Sequence, residues 1–357
     1  MISRHFLRSK VLQLAYAAYA DPVDVVVAER NYKHHIARLN DLGTTQLSTL
    51  THFVEVASVM IDEARHKFLP TEADLNPDLR LLNNRVIRRL ADNFDFHQQI
   101  KDANVNWGGV DFDGIYRQAY NELVKSAIYK DYLTAKDSFA TDHDFVTNLF
   151  KFLMNYSPLC ERIYPMSLLW EDDFGQIAQY QYKFLKGIDE TFDEASPIPL
   201  VCDPRDPADA EAYDFARLLL INTMRHKDEV EDMIRKHLKG WEYERVAEMD
   251  ILILNMAVAE LTECPSIPER VTVDEYIELS KEFSAERSRL FINGILAKFI
   301  IELRSAGRIK KTGRGIADFD TDDTNANETA DADIPIEELP VLVHTARKTR
   351  PRIKKTK

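Results

Sequence analysis

The stretch WEYERVAEMDILILNMAVAELTECPSIPERVTVDEYIELSKEFSAERSRLFINGILAKF, residues 241–299, decides the fold. Its apolar residues recur in three- and four-residue steps, as in Val246-Met249-Ile253-Met256, the spacing of one helix face. Pro265 and Pro268 close a first helix near Glu263, because proline offers no N–H and its ring clashes with the preceding turn. Thr272 followed by Glu275 has capping-box spacing and predicts the opening of a second helix. Ser284 predicts the cap of a third, over about Ala285–Leu303. One local signal disagrees. Asn293-Gly294 between Phe291-Ile292 and Ile295-Leu296 is hairpin chemistry. The Phe291-Ile295-Phe299 spacing argues for helix instead, with Gly294 allowing a close helix crossing.

The same spacing continues outward through Leu47-Leu50-Phe53-Val54-Ala57, Leu81-Leu82-Val86-Leu90, Phe145-Leu149-Phe152-Leu153 and Phe215-Leu218-Leu219. Glycine is scarce, at 11 of 357 residues, and alternating β-branched runs are nearly absent, so strands have little to form from. Pro70, the Gly108-Gly109 pair and the proline-rich loop Ala195 to Pro207 separate the segments. The expectation is an all-α fold of about eleven helices. Residues 144–174 and 214–246 align after a shift of about seventy, Trp170-Glu171 meeting Trp241-Glu242 with a one-residue slip, which suggests a duplicated helical module. After Ser305 the character changes. The basic cluster Arg308-Ile309-Lys310-Lys311 with Arg314 leads into DFDTDDTNANETADAD, and the end, ARKTRPRIKKTK, is basic again. Such blocks bury too little apolar surface to order themselves, so 305–357 reads as a disordered charged tail. A cationic arm that scans RNA is the sharper alternative.

An apolar content of 45% can fill a sizeable core, but no stretch approaches the roughly 18 uninterrupted apolar residues of a membrane span. The formal charge of −13 repels nucleic acid overall, so any RNA contact must come from a local cationic patch. No Gly-x-Gly-x-x-Gly or Gly-Lys-Ser/Thr phosphate loop exists, and no enzyme or cofactor is expected. Glu63-x-x-His66 has the spacing of a helical di-iron ligand pair, but such sites need it twice and no second copy is present. The adjacent pair His34-His35 would leave a helix about 100° apart and reads as a partly exposed surface feature rather than a ligand pair.

MISRHFLRSKVLQLAYAAYA, residues 1–20, supports two readings. Arg4, Arg8 and Lys10 precede an apolar run, and Ala18-Tyr19-Ala20 looks like a cleavage box, the outline of a secretory signal. That run is only about seven residues long, and Gln13 interrupts it. Three widely spaced cysteines (Cys160, Cys202, Cys264) suit a reducing compartment better than a disulfide framework. A cytoplasmic protein that keeps this stretch as a helix is therefore expected. In a helix, Leu7, Val11, Leu14 and Ala18 form one stripe, with Arg4 and Arg8 stacked one turn apart on a neighbouring face. Cations in the first turn oppose the helix dipole, where a purely structural helix would prefer Asp or Glu. Free amides with Arg4, Arg8, Lys10 and His5 make an anion site, and Tyr16 and Tyr19 could stack bases if exposed. A basic helix end with buried tyrosines is the alternative.

Taken together, Trp241, Arg245, Asp250, Glu260-Leu261, Ile267-Pro268, Glu275, Glu278-Leu279, Lys281, Phe291, Asn293-Gly294 and Leu296 resemble the carboxy-terminal pattern of the NusB family of transcription antitermination factors. The resemblance runs from about Tyr213 to Phe299, and Arg8, Gln13 and Tyr16 resemble the family's arginine-rich first helix. LPTEADLNPDLRLLNNRVIRRL resembles the long variant of the Bacteroidetes group. Asp274 and Ser284 depart from the usual Asn and Gly, and the arginine run is thinned to Arg4, His5 and Arg8. The implied organisation is a basic first helix (1–20), an enlarged helical segment (21–205), a NusB-like carboxy-terminal domain (206–304) and the tail (305–357).

The resemblance implies a non-enzymatic factor that binds boxA, a single-stranded RNA element of ribosomal RNA operon leaders, together with the ribosomal protein NusE and RNA polymerase. It implies that Arg4, Arg8 and Lys10 hold phosphates, that Tyr16 lies near bases, and that Phe291 offers a stacking face with Arg287 and Ser288 beside it. Arg245, Asp250 and Glu260 would tie helices together instead. Oligomeric state stays open, because some relatives form homodimers through the face that would otherwise take RNA. A helical protein–protein scaffold whose enlarged middle docks a partner, with RNA secondary or lost, is the alternative function.

Overall fold

The computed structural model describes residues 2–108, 110–167, 170–238 and 242–316. Gly109, Trp241 and the acidic and basic blocks from residue 317 onward lie outside the described residues. All regular structure among the described residues is helical. The helices are α1 (Arg4–Ala20), α2 (Val25–Arg65), α3 (Glu72–Leu75), α4 (Arg85–Ala91), α5 (Phe94–Asp102), α6 (Val110–Leu123), α7 (Ala127–Thr134) and α8 (Phe139–Met154). They continue with α9 (Ser157–Ile163), α10 (Trp170–Lys186), α11 (Pro207–Arg225), α12 (Lys227–His237), α13 (Glu248–Glu263), α14 (Glu269–Phe283) and α15 (Ser288–Ser305). The all-α expectation holds. The excess over about eleven comes from helices of one to two turns, such as α3, α4 and α9, too short for periodicity to register.

The chain divides into two units, one of Met1–Ile2 and Lys33–Tyr213, the other of Ser3–Tyr32 and the chain from Asp214 onward. In the first, α8 is central and packs on α4, α7, α9 and α10 through Phe145, Leu149, Phe150 and Leu153. A polar knot fixes its start. Buried Asp142 accepts hydrogen bonds from Tyr132 Oη at 2.8 Å and Arg85 Nη1 at 2.9 Å. Asn84 caps α4 through the amides of Val86 and Ile87, both at 3.1 Å, while its Nδ2 donates to the Asp142 carbonyl. The proline-rich loop is pinned by side chains that take over its backbone polar groups, as a packed loop requires. Asn40 exchanges two bonds of 2.9 Å with the Cys202 backbone, and Asn93 donates to the carbonyls of Asp193 and Ser196. Glu63 is held by Arg117 at 2.7 Å and exposed His66 bonds back to the Asp62 carbonyl. His34 is exposed and His35 is buried, so the adjacent pair is partly exposed.

The second unit is built around α13, which packs against α1, α12, α14 and α15. Leu252, Ile253, Leu254, Met256, Ala257, Val258, Ala259 and Leu261 are all buried, so α13 is enclosed on every side, as a helix apolar all round must be. Two expected caps are placed differently. α14 opens at Glu269, behind Pro268, and Thr272 lies inside the helix with its hydroxyl donating to the Glu260 carboxylate at 3.0 Å. Because the helix already opens behind Pro268, the Thr272 amide bonds the Pro268 carbonyl at 3.1 Å and there is no free helix start for Thr272 to cap. Ser284 ends α14 and its hydroxyl bonds Asp250, while α15 starts only at Ser288. Asn293-Gly294 is helical, because Phe291, Ile295 and Phe299 are all buried and the helical period places them together.

Gly43 of α2 is set by packing within the first unit. A Cβ there would stand 2.3 Å from Gln181 Nε2 and 2.7 Å from Val201 Cγ2. Helix propensity alone would make Gly43→Ala stabilising by about 0.5–1 kcal/mol. Overpacking reverses the sign, and the substitution is expected to cost about 1–3 kcal/mol, read as a lower urea midpoint. A raised midpoint would show the site to be loose.

Candidate nucleic-acid interface

α1 opens at Ser3, whose hydroxyl accepts the Phe6 amide at 3.2 Å, and carries no carboxylate in its first turn. Its first half is enclosed by the second unit: Phe6, Leu7, Val11 and Leu12 are buried, and so are Arg8, Ser9 and Lys10 between them. Arg8 reaches the fully buried carboxylate of Glu260 with two parallel bonds, Nε to Oε2 and Nη2 to Oε1, both at 2.7 Å. Thr272 Oγ1 and Tyr276 Oη complete the shell at 3.0 Å each. Four donors thus meet the four lone-pair sites of one carboxylate, the arrangement that makes a buried ion pair tolerable. Burial opposes the Arg8 charge, but the bonds and field of Glu260 outweigh it and raise the guanidinium pKa. Burial and the facing carboxylate push the Tyr276 hydroxyl well above its ordinary value, so it stays a donor.

His5 sits one turn earlier, between Glu275 at 2.8 Å and Glu282 at 3.1 Å. Its partial burial disfavours the charge, yet the two carboxylates prevail and raise its pKa above 6.5. Glu275 also lies 3.2 Å from Arg8 Nη1. The basic end of α1 is therefore largely neutralised by α13 and α14.

The other expected contact residues divide by exposure. Arg4 is half-buried, with its guanidinium 5.4 Å above the Phe215 ring that Arg8 approaches at 5.1 Å. Lys10 is buried, donates to Gln13 at 2.6 Å and lies 5.1 Å above Phe6. Tyr16 is 44% exposed and Arg287 is exposed, whereas Ser288 and Phe291 are buried. Arg8 and Phe291 both lie inside the unit, at separate anchors. Arg8 is tied to Glu260, while Ser288 belongs to the corner at Ser284 and Asp250. These anchors stand ten residues apart on α13, about 15 Å along its axis.

Beside the exposed Tyr16 lies a groove of about 640 Å³ that sequence reasoning missed. Tyr19 joins Tyr16 from α1, Lys227 and Arg235 come from α12, and Tyr243 closes the wall. Lys227 Nζ stands 4.4 Å over the Tyr19 ring and the Arg235 guanidinium 3.7 Å over Tyr243. Burial first, then Glu231, pushes the Tyr243 hydroxyl up to about 12. Lys227, Glu231 and Arg235 fall four residues apart on one helix face, a signal readable in the sequence. What it lacked was the aromatic wall from two distant segments.

Fold and site define an all-helical protein whose basic first helix is locked by an ion pair onto a carboxy-terminal helical bundle, with an aromatic groove of mixed charge at its other end. The NusB family model matches residues 176–300. Transcription antitermination protein NusB of Salinibacter ruber is 38% identical over 124 residues, which are 35% of this chain and 74% of that protein. The protein of the same name from Frankia casuarinae is 35% identical over 34% of this chain and 92% of its own length. The one from Chloroherpeton thalassium is 33% identical over 31% of this chain and 53% of its own length. No solved structure shows significant similarity to the chain. The chain belongs to the NusB family.

Two predictions follow from the α1 anchor. Glu260→Gln leaves the buried Arg8 guanidinium with only the more exposed Glu275 as counter-charge and is expected to cost about 3–5 kcal/mol, against about 1.5–3 kcal/mol for Tyr276→Phe. Urea denaturation of both variants checks the order, and equal losses would deny the ion pair its dominance. Because His5 has a raised folded-state pKa, its stabilisation is complete below about pH 6.5 and fades as pH rises through that raised value. His5→Ala should therefore lower Tm at pH 5.5 more than at pH 9; an equal loss at both would exclude the charged pairing.

Proposed function

We propose that this chain is a transcription antitermination factor that binds single-stranded boxA-type RNA of ribosomal RNA operon leaders. In this reading it acts with the ribosomal protein NusE and joins RNA polymerase. It makes and breaks no bond. NusB family membership supports the class, and the relatives' shared name supports the process. The observation that carries the RNA reading is the groove beside Tyr16, where Tyr16, Tyr19 and Tyr243 stand beside Lys227 and Arg235. Aromatic faces take bases whatever their sequence, and cations track the backbone, which is how single strands are held.

Among the residues expected from sequence, the exposed Tyr16 and Arg287 and the half-buried Arg4 are read as the direct contacts. Arg8, Lys10, Ser288 and Phe291 then act from beneath, by fixing the helices that present those contacts. The carboxylates Glu231, Glu244 and Glu248 in the same groove, with the commitment of Arg8 to Glu260, favour a second reading. In it the groove takes a basic protein surface and the chain is chiefly a scaffold.

Engaging about three to five phosphates gives a log–log salt slope of about −2 to −3.5. Tyr16→Ala is expected to lose about 1–3 kcal/mol of stacking with little change in slope. Titration of a boxA-like strand across a salt series, with and without NusE, tests both numbers. Wild-type affinity in the Tyr16 variant removes the groove from the RNA path. A NusE pull-down that survives RNase, with no RNA binding by the chain alone, selects the scaffold.

A further inference from the structure

We propose that residues 306–316 form a strap that belongs to the RNA surface, with Lys310 and Arg314 as phosphate contacts. The proposal rests on the RNA-binding reading above and extends it to cations that α1 does not supply. The strap begins where α15 stops. The Gly307 amide donates to the Arg304 carbonyl and the Arg308 amide to that of Leu303, both at 2.9 Å. Gly307 has φ +64°, the left-handed turn that completes this helix stop and sends the chain back.

Contacts with α12 and the α13–α14 turn then hold the returning chain. Lys311 Nζ donates to the Cys264 carbonyl at 3.2 Å, and the Thr312 amide to that of Pro265 at 2.9 Å. Gly315 lies so close to the same Pro265 carbonyl that a Cβ would stand 2.2 Å from it. Arg308 pairs with Glu229 of α12. Cys264 is one turn beyond Glu260, so the strap arrives at the end of α13 where Arg8 is anchored. Burial and Glu260 push the Cys264 thiol up to about 12 against the opposing fields of Lys311, Arg8 and Arg4, which puts those cations in one neighbourhood.

Most cations of this region are already committed. Arg308 holds Glu229, Lys311 holds a carbonyl, and Arg304 lies 3.0 Å from Glu269. Lys310 and Arg314 are exposed and form no ion pair among the described residues. Two unspent cations on a backbone already held in place lose little freedom on binding a phosphate chain. They add positive charge to a unit in which Arg8 and His5 are neutralised by their carboxylates.

The test uses the full chain and a fluorescently labelled boxA-like single strand, with anisotropy read across a potassium chloride series. In the Lys310→Ala, Arg314→Ala double variant the salt slope should become shallower by about 1.4, about 0.7 per lost phosphate contact, for every strand alike. Gly315→Val keeps every charge but forces the strap off the Pro265 carbonyl, and should weaken binding in the same direction. Circular dichroism melts confirm that both variants are folded. If the wild type binds and either variant matches it, the strap assignment is overturned while the RNA reading stands. A wild type without salt-dependent binding overturns the RNA reading itself, and the strap with it.

Discussion

The second unit depends on one carboxylate. Glu260 is wholly buried on the central helix, where an unpaired charge would be intolerable, and it is met by two donors from Arg8 and one each from Thr272 and Tyr276. Those donors come from α1 and α14, so satisfying a single side chain fixes two helices against α13 at once. A purely apolar contact would tolerate sliding by a turn. A bidentate pair with two further hydroxyls does not, because a shift would strand charges in a dry interior. The geometry of the first helix, and the placement of Tyr16 and Tyr19 at its far end, follow from that lock.

The lock also sets the electrostatics of the surface. Basic residues that look available along the first helix are spent on structure: Arg8 on Glu260, His5 on Glu275 and Glu282, Lys10 on Gln13. Positive potential for an anionic ligand must then come from elsewhere in the unit. At the groove Lys227 and Arg235 each lie over a tyrosine ring, but Glu231, Glu244 and Glu248 line it too and Glu244 pairs with Arg235 at 3.2 Å. Beyond α15 the chain returns through the Gly307 turn to the end of α13 and carries the exposed Lys310 and Arg314 with it. A segment that reads by composition as tail thus begins with eleven residues held by hydrogen bonds, a close glycine contact and an ion pair.

Much of the fold was legible because period and breakers are local properties. The helical step in Val246-Met249-Ile253-Met256, the stop at Pro265 and the Phe291-Ile295-Phe299 spacing each found the right element, the last against a hairpin signal. The caps at Thr272 and Ser284 were misread because the helices start elsewhere, α14 behind Pro268 and α15 at Ser288, which leaves each hydroxyl to donate to a buried carboxylate of α13. Short helices such as α3 escaped notice because a single turn shows no period.

By itself, then, the sequence determined the helical class, the boundaries set by proline and glycine, and the family to which the chain belongs, all of which reside in spacing along the chain. Tertiary structure alone decided which cations are free. Charge on a helix face is visible in a sequence, but its partner is chosen by packing between segments some 250 residues apart, and only a folded interior, where desolvation makes pairing obligatory, settles that choice.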